Sequence, residues 1–212
     1  MRGGVASFDE QIPCQIGRNW GFVLSRTGVS CFVSPVGERS VLWAVGHFEE
    51  QTPPLDKDSD NKVQQLIKQS LRLTSYIHEP MHTIISRTDP ETVMQINAND
   101  KTPFRHDQIV DISVVFIGDS NHALSPFAGY GANLGLNDAW DLAEQLVKHD
   151  SLEAAVGAYD DISVPRAAKV LCGARKRLKA GHSTGVLYYI FVFVLALHRL
   201  FGSVIGFVRG ER

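Results

Sequence analysis

The chain has 212 residues, 44% of them hydrophobic and 21% charged, with a formal net charge of −2. That balance is ordinary for a globular protein and gives no electrostatic ground for a nucleic-acid partner. Its three cysteines, Cys14, Cys31 and Cys172, are far apart and odd in number. They argue against a disulfide framework and for a reducing compartment, and no Cys/His cluster offers a metal site.

Met1-Arg2-Gly3-Gly4-Val5 leads into polar sequence, not into an apolar signal core. Residues 1–20 lack periodicity, and an irregular or partly stranded lead-in is expected. Three apolar runs come next, at 22–24, 31–33 and 41–45, separated by Thr27-Gly28 and the turn-rich residues 35–39. They predict a three-stranded antiparallel meander. Residues 49–61 carry Pro53-Pro54 and predict a loop. Asp58 or Ser59 is placed to cap a helix starting near Asp60, and Val63, Leu66, Ile67 and Leu71 keep helical spacing. Residues 93–96 predict a strand, and residues 98–109 a loop.

The stretch 114–146 reads VVFIGDSNHALSPFAGYGANLGLNDAWDLAEQL. A short apolar run predicts a strand that ends at Gly118-Asp119. A loop with Pro126, Gly129 and Gly131 leads into an amphipathic helix, with Ala132 and Asn133 at its start and Asn133 able to cap it. Leu136, Ala139, Trp140, Ala143, Leu146 and Val147 form one apolar face, expected to pack on a sheet. Free N–H groups and the positive dipole end of such a helix favour an anionic or electron-accepting ligand. A carboxylate at the strand end accepts hydrogen bonds from ligand hydroxyls. The glycine spacing does not match a dinucleotide fingerprint, because the loop from Gly118 to Gly131 is too long. The residues by themselves leave a nucleotide-type ligand and a plain strand–loop–helix unit both open.

The pattern Gly118, Asp119, His122, Pro126, Gly129, Gly131, Asn133, Asp138, Ala139, Leu142 and Ala143 strongly resembles the second flavin-binding motif of the FAD-dependent aromatic hydroxylases. These are flavoprotein monooxygenases of the para-hydroxybenzoate hydroxylase fold. Ser120-Asn121 departs from the small residues usual there. The resemblance implies an α+β fold: part of an antiparallel substrate-domain sheet, a strand–loop–helix FAD motif and a helical C-terminus. It implies the cofactor FAD, NAD(P)H as co-substrate, and hydroxylation or epoxidation of a small organic substrate. Carried over, Asp119 would hold the ribityl chain and Pro126 would lie by the isoalloxazine ring. Gly129 and Gly131 would shape the turn, and Gly131, Ala132 and Asn133 would offer N–H groups to the pyrimidine edge. No residue is assigned as a catalytic acid or base; His122 is expected to hold the loop, and Trp43 to pack in the core.

The first nucleotide-binding unit of that family is not found, so the chain resembles its C-terminal half. Weak or no FAD binding by the chain alone is therefore expected. A non-catalytic remnant, or a related flavin enzyme such as a halogenase or prenyl reductase, stays open.

Three regions are expected: a partial substrate-domain sheet and helix (1–109), the C-terminal part of the FAD-binding domain (110–181), and an apolar helical tail (182–212). Ser151 is placed to cap a second helix, and Pro165 is expected to kink or restart it. Arg175-Lys176-Arg177 suits a solvated helix face. Residues 185–197 carry no charge over 13 positions, short of the ~20 needed to span a bilayer. For the tail, a membrane contact through residues 183–208, a buried helix pair and a subunit contact all remain open. An intracellular location, cytoplasmic or membrane-associated, is expected.

Overall fold

The computed structural model describes residues 1–49, 59–108, 114–126 and 129–209. They form two compact units: residues 1–97 together with 180–212, and residues 98–179. The expected Pro53-Pro54 loop, the Asp58 cap and the boundary at 109–110 lie outside the described residues.

The first unit is built on a five-stranded antiparallel sheet. Its strands are β1 (Arg2–Ser7), β2 (Gly21–Leu24), β3 (Ser30–Pro35), β4 (Ser40–Gly46) and β5 (Met94–Gln95), in the order β2-β3-β4-β1-β5. The expected meander is β2-β3-β4. Strand β1 hides in sequence because Gly3 and Gly4 occupy it, and glycine argues against a strand. Packing requires them. A Cβ on Gly3 would lie 2.8 Å from the Trp43 carbonyl oxygen, and one on Gly4 2.7 Å from Thr88 Cγ2.

Side chains alternate across the sheet. Ala6, Cys31, Val41, Trp43 and Val45 point to the core face. Helix α1 (Ser59–Leu73) and the short helix α2 (Met81–Ser86) supply its cover, with Met81, Ile84 and Ile85 buried and Ile67, Leu71 and Leu73 packed alongside. Trp43 is 1% exposed, and its indole N–H donates to Thr88 Oγ1 at 2.8 Å. It is a core residue, as its strand position implied.

The second unit holds a single helical turn, α3 (Asp119–His122), and helix α4 (Gly131–Lys148). Helix α5 (Leu152–Gly181) comes next, and α6 (Gly185–Arg209) closes the described chain. Ser151 caps α5 as expected, its Oγ accepting the Ala154 N–H at 3.2 Å. The break expected at Pro165 does not occur, and α5 is continuous through it. Ser163 and Arg166, on either side of the proline, are both tied to Asp138, which pins the helix across the missing N–H.

In α6, Val186, Leu187, Tyr189, Ile190 and Phe193 are exposed. Among the described residues no helix is long and apolar enough to cross a membrane.

Gly4→Ala will destabilise the protein by about 1–3 kcal/mol through overpacking against Thr88. Gly21→Ala, with nothing within 4 Å of its added Cβ, will change stability by less than about 0.5 kcal/mol. Urea midpoints of the two variants check the contrast.

Candidate functional site

The stretch predicted to carry the chemistry lies in the second unit. Residues 114–117 form no ladder with any described strand, and Val114 is exposed. Among the described residues no segment pairs with the strand expected there. Gly118 then turns the chain at φ +56°, a left-handed conformation that favours glycine. Its Cα also meets Gly135 on α4, since a Cβ on either would sit 3.5–3.8 Å from the other's Cα. This close approach lets α4 begin against the turn.

Asp138 organises the turn and the helices around it. It is fully buried on α4, and both carboxylate oxygens are filled. Oδ2 accepts the Gly118 N–H at 2.8 Å and the His122 Nε2–H at 2.6 Å. Oδ1 accepts the Ser163 hydroxyl at 2.8 Å and Arg166 Nη2–H at 3.0 Å. The same guanidinium also donates to Asp141. Burial by itself would raise the Asp138 carboxyl. Hydrogen bonds from His122, the Gly118 amide and Ser163 outweigh it and bring the group down to about 2. The bond to Asp138 raises the His122 imidazole, against desolvation. His122 is thus enclosed and holds the loop, as expected; its 2% exposure leaves it no access as a base.

The predicted site residues lie around this centre. Asp119 is exposed at the first position of α3. Pro126 is exposed, and its carbonyl accepts the Gly129 N–H at 3.1 Å. Gly129 has φ +68° with open space where a Cβ would be. Gly131 begins α4, and a Cβ there would stand 3.6 Å from Asp119 Oδ1, so the Asp119 carboxylate lies beside the helix start. Ala132 and Asn133 are exposed in the first turn. The residue that caps the helix by position is Tyr130, not Asn133; it makes no side-chain cap bond, and no acidic residue lies in the first turn. Among the described residues no side-chain cap bond closes the start of α4, and Arg177 lies over the Tyr130 ring at 5.1 Å.

The expectation for the apolar face of α4 is reversed. Leu136, Trp140 and Val147 are 71%, 72% and 88% exposed, and Ala139, Ala143 and Leu146 are exposed with them. The helix buries Leu134, Asp138 and Gln145 instead. Its inward face is chosen by the bonds that Asp138 makes, which outweigh the pull of an apolar stripe with no described layer to cover it.

Several residues of the unit escaped the sequence reading. Asp160, 1% exposed, accepts from the backbone and ring of His106. Asn121 clamps the Phe104 backbone from both sides. Arg175 holds Asp100 through two bonds of 2.8 and 2.6 Å. A signal existed for Asp138, a carboxylate at position i+4 from buried Leu134. The others lie in the single turn of α3, in loops and in a helix of weak amphipathicity, where pattern says little.

Because the Asp138 carboxyl is held below its ordinary 3.8, its stabilising effect is complete above that value. The effect is lost as pH falls toward about 2. Asp138→Asn will cost about 3–5 kcal/mol at neutral pH, since it leaves buried partners uncompensated. It will also flatten the acid limb between pH 4 and 2, on the order of 2 kcal/mol in the unsubstituted chain. Denaturant unfolding at a series of pH values measures both effects.

A family profile described as FAD binding domain matches residues 17–174. The monooxygenase cfoF of Aspergillus candidus is 42% identical over 187 residues, covering 87% of this chain and 44% of its own length. Among solved structures, Klebsiella pneumoniae HpxO complexed with FAD and uric acid superposes with a TM-score of 0.72 at 20% identity. That match covers 90% of this chain and 46% of the other. FqzB superposes with a TM-score of 0.61 at 16% identity over 100% of this chain and 55% of its own. The chain thus spans less than half the length of the sequence relative. The superpositions give the same fold as the α+β architecture described above, and the profile covers strands β2 to β5 and the turn around Asp138. The chain belongs to the FAD binding domain family of the FAD-dependent aromatic hydroxylases.

Proposed function

We propose that this chain supplies the ribityl and isoalloxazine half of an FAD site in a monooxygenase that hydroxylates or epoxidises a small organic substrate with NAD(P)H and dioxygen. The observation that carries the reading is the pairing of an exposed carboxylate, Asp119, with the start of α4 at Gly131, where no described side chain makes a cap bond.

The residues present fit the group. Asp119 offers acceptors to the ribityl hydroxyls. Gly131, Ala132 and Asn133 offer N–H donors at a positive helix end. Gly129 leaves room for a close approach, and Pro126 stiffens the chain leading to it. Bound FAD would supply the redox chemistry with dioxygen. The protein's part is to hold the ring and to stabilise negative charge on its pyrimidine edge by the helix dipole and the N–H groups. Asp138 and His122 do not touch that ligand in this reading; they hold the Gly118 turn and α4 together.

The exposed stripe of α4 and residues 114–117, which no described strand pairs, support a site completed by a further layer, which would carry the ADP portion of the cofactor. The chain alone will therefore bind FAD weakly. For α6 we favour packing against protein, supported by the alignment of FqzB along the full chain.

Asp119→Ala will weaken FAD binding about tenfold, the loss of one or two charge-assisted hydrogen bonds. The unfolding midpoint will stay unchanged, because the side chain is exposed. Flavin fluorescence titration checks the first and thermal unfolding the second; equal FAD affinity in the two chains would remove Asp119 from the site. Stoichiometric flavin retained through purification would instead overturn weak binding. Co-sedimentation with neutral and anionic lipid vesicles tests α6, and vesicle binding lost on deleting residues 185–212 would reverse that reading.

A further inference from the structure

Phe116 lies two residues before the Gly118-Asp119 turn, in the stretch that has no described ladder partner. Its backbone groups are nevertheless held, and side chains hold them. The Phe116 N–H donates to His106 Nε2 at 2.8 Å. A backbone N–H can only donate, so Nε2 is the bare nitrogen. The imidazole proton then sits on Nδ1 and points to Asp160 Oδ1 at 2.7 Å. The second oxygen of Asp160 accepts the His106 backbone N–H at 2.7 Å.

On the other side, Asn121 Nδ2 reaches the Phe116 carbonyl at 3.5 Å and the Phe104 carbonyl at 3.1 Å. Its Oδ1 accepts the Phe104 N–H at 3.1 Å. The His106 ring packs among Phe104, Phe116 and Tyr159, with centroids 5.8, 6.3 and 6.1 Å away. Polar bonds are strong in such a water-poor setting, and an unmade one is costly. Asn121 stands where the family pattern carries a small residue, so that pattern does not supply this contact.

We infer that His106, held by Asp160 and opposed by Asn121, is a positioning residue that replaces a β-ladder neighbour at Phe116 and so sets where Asp119 meets FAD. The inference rests on the flavin reading of Asp119. The clamp acts through the backbone: Phe116 fixes the approach to Gly118, Gly118 is fixed again by Asp138, and Asp119 is the next residue along.

The test uses NMR on the full chain. It records His106 ring nitrogen shifts, amide exchange at Phe116 and Gly118, and FAD titration followed at the Gly131 and Ala132 amides. The unsubstituted chain will show the Nδ1–H tautomer. His106→Ala will speed exchange at Phe116 about tenfold or more and weaken FAD binding about three- to tenfold. His106→Gln places an acceptor where Nε2 stood and will restore both. His106→Asn keeps only the donor to Asp160 and will restore neither; a role in packing alone would make these two variants alike.

The Nε2–H tautomer, unchanged Phe116 exchange in His106→Ala, or equal behaviour of the Gln and Asn variants would overturn the clamp. An FAD response that is absent, or that Asp119→Ala leaves unaltered, would overturn the flavin reading beneath it. The exchange results would then still stand, so the two failures are distinguishable.

Discussion

One buried carboxylate governs the second unit. Asp138 accepts from the Gly118 amide, His122, Ser163 and Arg166, and so joins the turn, α3, α4 and α5 at a single point. Among the described residues the apolar cluster there is small, Leu124, Leu134 and Leu171 with Val170 beside them, and Ala155, Tyr159, Ala167 and Ala174 are buried along α5. Hydrophobic burial of that extent cannot orient two long helices around a turn, whereas four directional bonds to one charged group can. Such a centre is demanding, because a buried charge with a missing partner costs more than it contributes when complete. Here every oxygen is used, and the carboxyl stays ionised down to about 2.

The consequence for function is that the residues read as ligand contacts are kept apart from the residues that hold them. Asp119, Gly129, Gly131, Ala132 and Asn133 lie on the open side of the turn. His122, Asp138 and Ser163 lie behind it, His122 and Ser163 both bonded to Asp138, with the Gly118 amide and Arg166 completing its carboxylate. An enclosed histidine and aspartate in a motif invite assignment as an acid–base pair, but the 2.6 Å bond and the burial of both groups make them a brace. In a flavin site this division is reasonable, since the cofactor supplies the redox chemistry and the protein supplies position and charge complementarity.

The same unit carries two features that would be faults in a self-sufficient domain. A run with no described ladder partner leaves backbone groups to be satisfied otherwise, and His106 and Asn121 do so at Phe116. An apolar stripe on α4 faces outward while its polar face is turned in. Both fit the proposed site, which a further layer would complete. The first unit shows no such inversion. Its sheet has an alternating core face with α1 and α2 packed on it, and glycines sit in β1 where neighbours come closest.

By itself the sequence determined the family, the meander of β2, β3 and β4, the helices α1, α4 and α5, and the cap at Ser151. These come from local information: periodicity, turn chemistry and the spacing of a motif within one strand–loop–helix unit. Only the tertiary structure decided that β1 joins the sheet, that α5 passes Pro165 unbroken, and that α4 buries Asp138 while exposing Trp140. It alone revealed His106, Asn121 and Asp160 as the support of the turn. Each of these depends on partners distant in the chain. A helical pattern states which face is apolar, but which face turns inward is settled by the bonds available inside. For α4 those bonds belong to Gly118, His122, Ser163 and Arg166, residues that no local window brings together.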